Sequence, residues 1–186
     1  MARLTNLDSV LTYQVNVTAS GTPEQLLAKI RGTTISFTHV GGTPHDTISD
    51  SGSGFLLAGF EVGDAITVSG SGSNDGTYTI ESVVAGTITV TTGNLTTEVA
   101  GATVKITAPK ALDDGIEVII KGKSSNTGTI TLSGTSARAV SGGGGGFTLG
   151  AGQAVGLQVS TTSKIWIDAS VTAEGVEVLL ERSNRQ

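Results

Sequence analysis

The chain has 186 residues, enough for one generous domain or two small ones with a real apolar core, and its formal net charge is -5. There is no cluster of Lys and Arg of the kind that binds phosphate backbones, and the lack of cysteine excludes disulfides, thiol chemistry and Cys-ligated zinc. Aromatic residues make up 4% and charged residues 15%, while 27 residues are glycine, so short β-strands joined by tight turns are expected.

The opening stretch MARLTNLDSVLTYQ has no apolar run of signal-peptide length, and no run is long enough to span a bilayer. A soluble chain that does not use the general secretory route is the expectation. Tyr13, Val15 and Val17 then alternate as one strand face. Over Thr22–Ile30 a helix is predicted, with Thr22 as cap, Pro23 at the first helical position and Leu26, Leu27 and Ile30 on one side. A strand through QLLAKI is the alternative.

From Arg31 to Ala108 five period-two runs follow: Ile35 and Phe37, Ile66 and Val68, Tyr78 and Ile80, Ile88 and Val90, Val104 and Ile106. Glycine-rich turns separate them, which predicts a small closed or nearly closed β-barrel. A second series comprises Ile116, Val118 and Ile120; Ile130 and Leu132; Val155, Leu157 and Val159; Ile165 and Ile167; and Val176, Val178 and Leu180. Together with the Tyr13 strand these predict a six-stranded antiparallel sandwich.

Charge divides the chain in the same place. Residues 31–109 hold two basic and seven acidic side chains, a net of -5, whereas the flanks hold nine of each and sum to zero. The predicted fold is therefore all-β: an outer antiparallel β-sandwich from residues 1–30 and 110–186, interrupted by a small acidic β-barrel at 31–109. One continuous sandwich is the plainer alternative.

Sites for chemistry are sparse. His39 continues the Ile35 and Phe37 face, and His45-Asp46 lies in GGTPHDT, where Gly and Pro favour a turn over a metal site. Gly122-Lys123-Ser124 matches the tail of a phosphate-binding loop, but Glu117 stands where that loop needs glycine and a strand, not a helix, follows. Asp113-Asp114 reads as a polar turn. Asp64, Asn74 and Asp75 have no calcium-loop spacing. No catalytic residue, cofactor site or metal site is expected.

Two features suggest protein contact. In KIWID, Trp166 shares a strand face with Lys164 and Asp168 opposite the two isoleucines, either as a partner anchor or as a cover for its own sheet. In SGGGGGFTLGAGQ, the run Gly142, Gly143, Gly144, Gly145 and Gly146 precedes Phe147 between two predicted strands. A free pentaglycine is costly to fix, so the expectation is that these residues are pinned where backbone approaches a neighbouring subunit.

The stretch Gly54 to Thr92, with Gly59-Phe60, Gly63-Asp64, Ile66-Thr67-Val68 and Asn74-Asp75-Gly76-Thr77-Tyr78, is similar to a β-module that recurs in structural proteins of tailed bacteriophages and prophages. EVIIKGKSSNTGTITL, FTLGAGQAVGLQV and KIWIDASVTAEGVEVLLE resemble a phage virion module of head-decoration or accessory type. These resemblances imply a non-enzymatic virion structural protein, foremost a capsid decoration (cement) protein on the outer head surface. The implied partners are the major capsid protein or other virion proteins and further copies of the chain, with a trimer as first expectation and neither nucleic acid nor membrane. A tail, baseplate or head-tail joining role is the alternative, and a host-glycan attachment module is a further one. Residues 1–53 carry no such resemblance.

Overall fold

The computed structural model describes residues 10–41, 45–91, 94–112 and 117–181. The chain divides into two compact units, Met1–Leu27 with Lys110–Gln186, and Ala28–Pro109. The two have separate apolar cores.

The first unit is a sandwich of two four-stranded antiparallel sheets. One sheet has the order β1-β15-β10-β13, with β1 at Val10–Asn16, β15 at Gly175–Glu181, β10 at Glu117–Gly122 and β13 at Ala154–Gln158. The other has the order β12-β11-β14-β2, with β12 at Phe147–Leu149, β11 at Ile130–Ser133, β14 at Trp166–Ala169 and β2 at Glu24–Gln25. Alternation decides which side chains meet between the sheets. Tyr13 and Val15, Val118 and Ile120, and Val176, Val178 and Leu180 come from one sheet, and Ile130, Leu132 and Ile167 from the other. The expected alternation at Ile116 and the turn at Asp113-Asp114 lie outside the described residues.

The predicted helix over Thr22–Ile30 is replaced by two short strands, β2 and β3 (Ala28–Gly32), that belong to different units. Gln25 pairs with Trp166 at one sheet edge, and Ala28 pairs with Ala108 at another. Leu26 is buried in the sandwich core and Ala28 in the other core. Sheet edges that need backbone partners override a weak local helix signal here.

The second unit is one seven-stranded antiparallel sheet in the order β3-β9-β6-β7-β8-β5-β4. Its strands are β4 (Ile35–Thr38), β5 (Thr47–Asp50), β6 (Ala65–Ser69), β7 (Gly76–Val84), β8 (Thr87–Val90) and β9 (Val104–Ala108), with β3. The order has two ends, so the sheet does not close into a barrel; the five-strand count predicts a closed or nearly closed one. A register shift between Ile80 and Ser82 in β7 marks a bulge, the device that bends a strand. One core cluster takes side chains from both end strands, Ala28 and Phe37, and is completed by Phe55 and Phe60 from the connection after β5. Those two rings meet edge to face at 6.0 Å.

Strand β5 escapes the alternation because its second inward position is Asp50. This buried carboxylate accepts hydrogen bonds from Thr34 Oγ1 at 2.6 Å and from the amides of Gly52 and Gly54 at 3.0 and 2.9 Å. It closes the turn that carries the chain toward Phe55. Among the described residues no helix is long and apolar enough to cross a membrane.

Candidate functional site: an apolar groove at the open side of the sandwich

Strands β12 and β13 are the edge strands of their two sheets, joined by a tight turn in which Gln153 N–H bonds to Gly150 C=O and the Gln153 side chain accepts from Gly150 N–H. β12 has three residues and β13 has five. The inward face of β13 therefore has little sheet opposite it. Val155 and Leu157, with Val159 just beyond the strand, are half-buried where the rest of the sandwich is closed.

The resulting groove has a volume of about 360 Å3. Leu132 and Ile165, both 3% exposed, are its most buried lining residues; Val155, Leu157 and Val159 form one side, and Phe147 stands at the rim with 58% of its surface exposed. Among the described residues Lys164 is the one charged residue of the lining, and its ammonium donates to Ser160 Oγ at 2.9 Å. Grooves with so few polar groups bind apolar surface and lack the convergent donors and acceptors that orient a small polar substrate.

The glycine run that precedes Phe147 explains how the ring is held at the rim. A short helix, α1 (Ser136–Ala139), follows β11, and the chain returns past it. A Cβ added at Gly144 would lie 2.5 Å from the carbonyl oxygen of Arg138; one at Gly146 would lie 2.6 Å from the same oxygen and 2.7 Å from that of Leu132. Gly142 and Gly145 have φ of 82° and 71°, a region that favours glycine. Nothing stands within 4 Å of a Cβ at Gly143. The close approach at Gly144 and Gly146 is thus to backbone of the same chain, which accounts for those glycines without a neighbouring subunit.

Trp166 lies apart from the groove. Ile165 and Ile167 face the core, and Trp166 points with Asp168 to the outer face of β14, where it is half-buried. Asp168 is fully buried under the loops that cross this face. Its Oδ1 accepts from the amides of Gly21 (3.1 Å) and Ala169 (2.9 Å), and its Oδ2 from Ser141 (2.8 Å). Of the candidate contact residues, Gly142 to Gly146, Phe147 and Trp166, the structure brings only Phe147 to the groove. Val155, Leu157, Val159 and Lys164 carry no signal of their own, because a half-covered edge strand alternates just as a covered one does.

The polar candidates are engaged in holding loops. His45 contacts Glu81, while the neighbouring Asp46 turns inward, so the His45-Asp46 dipeptide does not converge on one point. Asp46 accepts from the Val40 and Leu95 amides at 2.8 and 2.7 Å and lies 3.1 Å from His39 Nδ1. Burial pushes this carboxyl up, but these hydrogen bonds and His39 outweigh burial and hold its pKa below the ordinary value.

Asp64 accepts from the Glu61 amide, Asp75 from Ser71, and Asn74 bridges Thr96 and Glu98. Lys123, from the apparent phosphate-loop tail, donates to Asn16 Oδ1 at 2.7 Å just after β10 ends. Among the described residues no group of three or more His, Asp or Glu is placed to hold a metal ion.

No protein-family model, characterised protein or solved structure matches this chain.

Proposed function

We propose that the chain is a non-enzymatic structural protein of a tailed-phage virion, a decoration protein that binds the outer surface of the assembled head and joins its protein neighbours through the groove beside Phe147. The observation that carries this reading is the groove itself: an apolar trough with one lysine at its lining and a largely exposed phenylalanine at its rim. Exposed apolar surface next to unpaired sheet edges suits contact with protein. The resemblance of the Gly54–Thr92 and C-terminal stretches to phage virion modules supplies the biological setting.

The mechanism is mass action. A protein that binds the assembled lattice and not the free subunits lowers the free energy of the shell. The test is co-sedimentation of the purified chain with empty heads assembled from the major capsid protein of the same phage. Saturable binding at a fixed copy number per head supports the reading. Failure to bind, or equal binding to unassembled capsid subunits, overturns it.

A further inference from the structure

The second unit carries an apolar feature of its own. Between Gly54 and Phe60 the chain makes a tight turn closed by hydrogen bonds from Ala58 N–H to Gly54 C=O (2.9 Å), Gly59 N–H to Leu56 C=O (3.1 Å) and Phe60 N–H to Phe55 C=O (3.2 Å). Phe55 and Phe60 anchor both ends in the core. Leu56 and Leu57, at the tip, are 50% and 67% exposed, and Val62, a few residues on, is 67% exposed. Two adjacent leucines fixed outward on a pinned turn lose little freedom on binding, which is the economy of a preorganised contact.

The charges of this turn oppose those of the groove. From residue 54 to residue 64 the chain carries Glu61 and Asp64 and no cation. Among the described residues the groove lining carries one cation, Lys164, and no carboxylate. Apolar content and charge sign are therefore complementary between two surfaces of one sequence.

We infer that the occupant of the groove is a second copy of this chain, inserting its Leu56-Leu57 turn beside Phe147, with the acidic side of that turn, Glu61 and Asp64, toward Lys164. This deepens the proposed function, on which it rests only in taking the groove as a protein-docking surface. The contact joins two different surfaces, so it is head-to-tail: each bound copy leaves one turn and one groove free, and copies add into a ring where the rotation closes and into an open filament where it does not.

The absence of cysteine allows a direct test. Sedimentation velocity of the wild-type chain should show concentration-dependent association, weakened about tenfold or more by L56D/L57D and similarly by F147D/K164E. Each variant should be folded by circular dichroism, because the altered side chains are exposed or at the rim. A mixture of the two should form heterodimers and nothing larger, since one partner keeps the groove and the other keeps the turn. Under oxidation, L57C mixed with V159C should give a disulfide-linked heterodimer.

A wild-type chain that stays monomeric at tens of micromolar (roughly the range in which weak specific contacts are populated) overturns the inference. So does association that L56D/L57D leaves unchanged, or a mixture that fails to pair. Binding of a strictly monomeric chain to empty heads would defeat this inference and leave the proposed function standing. Head-to-tail association without head binding would do the reverse.

Discussion

The Oδ2 of Asp168 accepts a 2.8 Å hydrogen bond from the backbone amide of Ser141, fastening the start of the glycine run to the outer face of β14. The same buried carboxylate also accepts from Gly21 and Ala169. Asp168→Ala leaves three backbone donors without this partner, and a loss of about 3 kcal/mol is expected from urea unfolding. Hydrogen exchange at the Ser141 and Gly21 amides should quicken in the variant. Unchanged exchange at both would show that the carboxylate does not hold these loops.

Gly146 and Gly143 separate the two possible reasons for a pentaglycine. Gly146→Val drives side-chain atoms against the carbonyl oxygens of Arg138 and Leu132, and a destabilisation of about 3 kcal/mol is expected. Gly143→Ala meets open space and should change stability by no more than about 0.5 kcal/mol. Thermal melts of the two variants check this. Equal, small effects would mean the run is only a permissive loop.

The pattern of what the sequence revealed follows from what alternation can encode. Tyr13, Val118 and Val178 announce the sandwich because each sits on a strand with one covered face. β5 does not announce itself, since Asp50 takes an inward position and is satisfied only by Thr34, Gly52 and Gly54 in the folded turn. The Thr22–Ile30 segment has a cap residue, a proline and apolar spacing suited to a helix, yet sheet edges at Trp166 and Ala108 claim its backbone. The groove was partly legible through Phe147 alone. Its other walls, Val155 and Leu157, differ from core residues only in the shortness of β12 opposite, which no residue type records.

Asp46 and Asp50 make the fold sensitive to acid. Burial raises both carboxyls, but hydrogen bonds from Val40, His39 and Leu95 to Asp46, and from Thr34, Gly54 and Gly52 to Asp50, lower them further than burial raises them. An unfolded aspartate titrates near about 3.9, above these folded values, so the unfolded chain takes up protons first as the pH falls. Their contribution is fully present above that range and is lost as the pH drops through the folded pKa values. The urea midpoint should be steady from neutral pH to about 5 and fall below about 4, with a shallower fall in Asp46→Asn. An acid-insensitive midpoint would contradict the assignment.

The separate cores predict separate melting. Phe55 and Phe60 pack in the core of the Ala28–Pro109 unit. Phe55→Ala should cost that unit about 3 to 4 kcal/mol. In calorimetry one transition should move to lower temperature while the other stays in place. A single transition that shifts as a whole would show that the units unfold together.

Co-sedimentation with empty heads, run with the wild-type chain and with Phe147→Asp, tests the central claim most directly. The account predicts saturable binding of the wild type and binding weakened by about tenfold or more for the variant, whose melting temperature should be nearly unchanged because the ring is exposed at the groove rim. Wild-type protein that remains in the supernatant at saturating concentration, or a folded variant that binds as the wild type does, would contradict it.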